Sequence, residues 1–235
     1  MKRWGLLAFL AVSFCGLNSV FADNIKIETV ALGTVYAPIG FDSINKSQVA
    51  VEGVFSDTCY RVGPHKVTVN GDTITITQGA YFYNGICADV LVPFYQVIEL
   101  GVLNVGNYSI VDGATGRTLG MLPIAVAPPK SKLTYPDNYL YAPVSDASLL
   151  VDGGKRIVIS GMFTDDCTHF KEIRVQRFNN VIQVLPITER VGTCHRKVSP
   201  FQVSKPIEIP DGHYLLHVRA LSGNAINKMV DVYIL

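Results

Sequence analysis

Val51-Glu52-Gly53-Val54-Phe55-Ser56-Asp57-Thr58-Cys59 returns in the second half of the chain as Ile159-Ser160-Gly161-Met162-Phe163-Thr164-Asp165-Asp166-Cys167. The match continues in register. Cys87 is followed by Pro93-Phe94 and Cys194, at the same spacing, by Pro200-Phe201. Gly106-Asn107-Tyr108 then answers to Gly212-His213-Tyr214. Upstream, Tyr36-Ala37-Pro38-Ile39 aligns with Tyr141-Ala142-Pro143-Val144 at the cost of a small difference in spacing. So many residue types recurring in one order mark an internal duplication. The expected copies are residues 23–126 and 133–235. The linker 127–132 between them contains Pro128 and Pro129, which cannot extend a strand ladder.

Within each copy the apolar pattern is that of short strands. Residues 25–31, 49–55, 66–69, 73–77, 90–98, 108–111 and 119–126 alternate or are β-branched in the first copy. Residues 156–163, 173–178, 181–186, 201–209, 214–220 and 229–234 do so in the second. Asn70-Gly71-Asp72 is a hairpin signal, because Asn and Gly accept positive φ cheaply, and Asn179-Asn180 occupies its place in the second copy. No stretch has sustained helical periodicity. The fold class expected is all-β: two tandem immunoglobulin-like antiparallel β-sandwiches.

The first 22 residues read as a signal peptide cleaved after Ala22. Lys2 and Arg3 precede an apolar run from Leu6 to Phe14, too short to span a bilayer, and Val20-Phe21-Ala22 suits signal peptidase. Phe14 before Cys15 speaks against lipidation. Cleavage would take Lys2 and Arg3 from the 20 basic residues, leaving 18 against 19 acidic ones. Such a balance gives no reason to expect a nucleic-acid partner. No later stretch is long and apolar enough for a transmembrane segment. The localisation expected is periplasmic or secreted. Cys59, Cys87, Cys167 and Cys194 remain, an even number in an oxidising compartment.

The string Gly-x-Phe-[Ser/Thr]-Asp-x-Cys, a hairpin, a second Cys, Pro-Phe and Gly-x-Tyr resembles the tandem immunoglobulin-like or fibronectin-like β-sandwich modules of exported bacterial proteins. The resemblance covers each copy once and implies architecture rather than activity. The cysteines of each copy lie too close for the usual inter-sheet bridge, and Trp4, the one tryptophan, leaves with the leader. Cys59–Cys87 and Cys167–Cys194 are therefore expected as one internal disulfide per copy, clipping loops at one end.

Chemistry-bearing patterns are sparse. Cys167, His169, Cys194 and His195 have zinc-ligand types, but the first copy has Tyr60, Arg61, Ala88 and Asp89 beside its cysteines, so no metal site is expected. Asp57 and Asp165 recur in place and read as turn formers rather than calcium ligands. Ser43-Ile44-Asn45-Lys46 fits a bare Ser-x-x-Lys pattern without its companion motifs. No catalytic residues and no cofactor are expected.

Function is sought where the copies diverge. Gly79-Ala80-Tyr81-Phe82-Tyr83-Asn84-Gly85 is aromatic, whereas Arg190, His195, Arg196 and Lys197 flank the counterpart cysteine. The first would suit an apolar or glycan-stacking contact and the second an acidic one. The expectation is a non-enzymatic binding or structural protein whose partner is a protein or a surface glycan. The alternatives are a periplasmic chaperone acting by strand or edge donation, and an enzyme with a cleft of convergent polar groups between the copies.

Overall fold

The computed structural model describes residues 25–127 and 139–233. The leader and linker residues 128–132 lie outside the described residues. The first copy contains β1 (Lys26–Val30), β2 (Thr34–Tyr36), β3 (Phe41–Asp42), β4 (Lys46–Phe55), β5 (Tyr60–Asn70), β6 (Thr73–Phe82), β7 (Val92–Val102), β8 (Gly106–Asp112) and β9 (Thr118–Ala125). The second contains β10 (Leu140–Tyr141), β11 (Val144–Val151), β12 (Lys155–Asp165), β13 (Thr168–Phe178), β14 (Val181–Arg190), β15 (Arg196–Pro206), β16 (Gly212–Arg219), a single 3-10 turn and β17 (Ala225–Val232).

Each copy is a β-sandwich. In the first, β2-β4-β7 forms one sheet, and β6 is the hub of the other. β5 pairs along one edge of β6, while β1 and β8 share its opposite edge, β8 running parallel. The second copy repeats this with β11-β12-β15 and with β14 between β13 on one side and β10 and β16 on the other. The ladders are antiparallel apart from β6–β8, β14–β16 and the two-residue β3–β9 pair. Alternation along β4 buries Ser47, Val49, Val51, Gly53 and Phe55 against the facing sheet and leaves Lys46 and Val54 exposed. Ile74, Ile76, Phe94, Ile98, Ile110 and Leu122 complete that core. Each such side chain contributes about 1.5–3 kcal/mol by leaving water.

The recurrent motifs have physical causes. Gly53 pairs with Phe94 across β4 and β7, and a β-carbon on Gly53 would stand 2.5 Å from the Phe94 ring. The glycine is the space that the ring occupies. Phe94 then stacks on Phe55 with centroids 4.3 Å apart, and Phe201 lies against Phe163 at 4.7 Å. In Gly-x-Tyr, the Tyr108 hydroxyl donates to the Asn104 carbonyl and the Tyr214 hydroxyl to that of Pro210, each at 3.1 Å. This is a tyrosine corner, which ties the start of a strand to the turn before it. Gly71 and Asn179 carry the positive φ of matching hairpins, at 55° and 50°. Both cysteine pairs are bridged, with Cα atoms 5.4 and 4.9 Å apart. A bridge closing a loop of this length adds roughly 3 kcal/mol, chiefly by restricting the unfolded chain.

One expected alignment is wrong. Tyr36 pairs with Ala50 in β2–β4, and its structural counterpart is Ser148, which pairs with Val158. Tyr141 pairs with Ile187, as Thr29 does with Gly79. Tyr36-Ala37-Pro38 and Tyr141-Ala142-Pro143 are thus alike in letters only. Ladder register and sheet face fix a strand's place, and a short tetrapeptide at a strand end encodes neither.

The copies pack front to back. The outer face of β2-β4-β7 covers the outer face of β14-β16-β17, with Tyr36, Ala50 and Val97 against Val181, Leu215 and Met229. Arg219 is buried over the Phe41 ring at 4.1 Å and donates to the Gly40 carbonyl. His217, fully buried, donates from Nδ1 to Asn227, whose amide donates to Gln48. Register places Thr73 and Ser109 of the first copy where Val181 and Leu215 stand in the second. At these two positions the face is apolar in the second copy and polar in the first.

Candidate functional site

At the end of each sandwich that carries the disulfide, an aspartate shapes the turn. Asp57 accepts the Cys59 amide at 2.8 Å, and Asp165 accepts those of Cys167 and Thr168 at 3.3 and 2.8 Å. The Thr168 side-chain hydrogen bond, with these amides and Arg190, holds the Asp165 carboxyl below the usual carboxylate range. Each aspartate lies close to its two cysteine sulfurs. Those sulfurs are spent in disulfides, so the groups are turn and staple rather than ion ligands.

In the first sandwich Tyr81 and Phe82 end β6, half-buried, between Lys26 and Ile27 of β1 and Tyr60 and Arg61 of β5. Phe82 leans on the Tyr60 ring at 5.1 Å, and the Tyr60 hydroxyl donates to Glu28. Tyr83 opens the following loop and is exposed. Beyond it the loop presents residues that the sequence pattern did not single out: Ile86 at 107% exposure, Leu91 at 77% and Val90 at 53%. Their signal was available, as a cluster of large apolar side chains around a cysteine within a loop. The loop is fixed from within by the bridge at Cys87 and by the Thr58 hydroxyl, which accepts the Ala88 amide at 2.8 Å.

The second sandwich has a different surface at the same place. Arg190 lies 3.8 Å from Asp165, and His195 donates its amide to Asp166 at 2.9 Å. That amide, with the nearby imidazole, holds the Asp166 carboxyl low. Arg196 and Lys197 begin β15 and are exposed. The two surfaces sit at opposite ends of the molecule. Gln48 faces Asn227, the cross-strand partner of His217, while Glu52 faces His213, so β4 and β16 run in opposite directions. β4 leads into its own copy's disulfide end, and β16 runs parallel to β14, which leads into the other.

Polar groups also converge between the sandwiches. His213 Nε2 lies 2.7 Å from Glu52 Oε1, and His213 Nδ1 lies 2.6 Å from Asp231 Oδ1. The Tyr36 hydroxyl donates to the other Glu52 oxygen at 2.6 Å. Burial, and then this bond, raise the tyrosine's pKa well above its ordinary value. Both imidazole nitrogens are thus engaged by carboxylates, one from each sandwich. Nothing in the sequence pointed to this cluster, because its members are far apart in the chain and share no motif.

Residues 49–116, from within β4 to the turn after β8, match the family model described as ORF11 beta-sandwich domain. No curated protein and no solved structure matches the chain. The family match supports the β-sandwich module. Among the described residues, no helix is long and apolar enough to cross a membrane.

Proposed function

We propose that the chain is an exported, non-enzymatic binding protein of the periplasm, cell envelope or extracellular space, which holds a partner protein at the disulfide end of its first sandwich. The observation that carries this reading is the full exposure of Ile86 on a stapled loop, with Leu91 and Val90 beside it. Single exposed apolar residues are ordinary, but a cluster of them on a cross-linked loop is a surface prepared for burial. The staple also lowers the ordering cost of association, because the loop is already fixed before contact. Two disulfides and the leader-like N-terminus support export. The doubly engaged imidazole between the sandwiches supports a non-catalytic role.

The test is capture from an envelope extract. Ile86→Asp combined with Leu91→Asp should abolish retention of whatever the wild-type protein holds, with an unchanged thermal midpoint. Joint substitution of Tyr81, Phe82 and Tyr83 should also abolish it, but at a cost in stability, because Phe82 packs on Tyr60. Retention that survives both sets of changes would end this reading.

A further inference from the structure

His213 stands between two carboxylates, one from each sandwich. Glu52 lies on β4 of the first, and Asp231 is the direct cross-strand neighbour of His213 within the second. A neutral imidazole has one N–H and one bare lone pair, whereas the imidazolium has two N–H groups. Carboxylates only accept. With contacts of 2.7 and 2.6 Å at the two nitrogens, only the protonated ring satisfies both partners. The neutral ring must turn a lone pair toward one carboxylate, and the side it gives up most readily is the one across the interface, since Asp231 is held in register by the ladder.

We propose that Glu52–His213–Asp231 is a proton-operated latch between the two sandwiches, closed while His213 carries its proton and released when that proton is lost. Partial burial opposes charging of the ring, but the hydrogen bonds to Glu52 and Asp231 outweigh it, and the net displacement of its pKa is upward. The sign follows from linkage. A base whose pKa is higher in the docked state stabilises docking fully at low pH, and the contribution fades as pH rises through the docked-state value. That window begins above the ordinary histidine pKa of about 6.5.

Other groups surround the latch. Tyr36 of β2 keeps its proton, donating to Glu52, and Tyr95 of β7 lies opposite Glu52 in the ladder. His217, on the same strand and face, is buried and neutral, its pKa pushed down to about 3 by burial and by Arg219. The Arg219–Gly40 and His217–Asn227–Gln48 contacts lie further along β16 and carry no such dependence in the neutral range. Release therefore opens the interface from the Glu52 end, with the Phe41 end as the pivot. His213 is partly exposed, so water can deliver and remove the proton.

Methionine methyl NMR reads this directly in the intact chain. Met229 packs in the docking face, whereas Met162 is exposed on the far sheet. Between pH 5.5 and 9.5 the Met229 methyl signal should shift with the midpoint of the His213 ring titration, and Met162 should not. That midpoint should lie above 6.5 and fall by at least half a pH unit in Glu52→Gln. In His213→Gln, Met229 should be insensitive to pH. Asp231→Asn provides a second variant that leaves the first sandwich untouched, and it too should lower the midpoint. A His213 midpoint at or below the ordinary value would overturn the latch. So would a Met229 signal that ignores pH in the wild type, or one that still responds in His213→Gln.

Discussion

The Phe201 ring lies so close over Gly161 that a β-carbon on that glycine would stand 2.6 Å from it, with the Pro143 carbonyl oxygen nearer still. At Gly53 the corresponding obstacle is the Phe94 ring, with the Ala31 carbonyl at 3.0 Å. A ring tip can yield slightly, but a backbone carbonyl cannot. Gly161→Ala should therefore cost more than Gly53→Ala, about 3 kcal/mol or more against about 1–2 kcal/mol. Urea unfolding of the two variants gives the order, and equal losses would refute it.

The two tyrosine corners should be separable from their ring packing. Tyr108→Phe and Tyr214→Phe each remove a hydroxyl bound to a turn carbonyl and leave the buried ring in place. The loss expected is about 1 kcal/mol for each, additive in the double variant because the sites lie in different cores. Thermal unfolding of the single and double variants checks both statements.

His217 should make the fold sensitive to acid. In the folded chain its pKa lies at about 3, so the ring stays neutral there. The unfolded chain binds a proton below its ordinary value of about 6.5. Stability is thus intact above that value and falls as pH drops through the interval, by up to about 1.4 kcal/mol per pH unit. His217→Gln should flatten the part of the pH 7 to pH 5 decline that this group supplies, measured as the difference between variant and wild type in denaturant midpoint. Parallel declines would show that His217 takes no share.

Giving the second copy the first copy's residues at the docking face should undock it. Val181→Thr with Leu215→Ser places a buried polar pair against Ala50 and Val97. About 3 kcal/mol of docking should be lost, and small-angle scattering should report a larger radius of gyration. An unchanged radius would mean that the apolar patch does not hold the sandwiches together.

Where the sequence was informative, the cause was local or repeated. Gly53 with Phe94, Phe55 with Cys59, and Gly106 with Tyr108 each constrain one copy, and the second copy printed the same constraint again. The longer strands declared themselves by alternation. The two-residue β3 and β10 did not, since two residues contain no period. Tyr36 and Tyr141 misled because identical letters stood in different strands. The front-to-back packing left no motif, but it did leave a difference: Val181 and Leu215 against Thr73 and Ser109. Read without the structure, that contrast says only that the copies diverged. Glu52 and His213 meet solely because two sheets are pressed together, and nothing near either residue announces the other.

Front-to-back packing of like units is a rule without an end. A third unit could be added at either side by the same contact, so a duplicated gene that kept both faces intact would encode a growing fibre. In this chain the two outward faces differ from the buried ones. The back of its first sandwich carries Thr73 and Ser109, and the front of its second carries Ser160 and Ser204 at the places of Glu52 and Val97. Divergence between the copies therefore falls on the positions that would carry a further contact of the same kind: each outward face differs there from the face that is buried between the sandwiches.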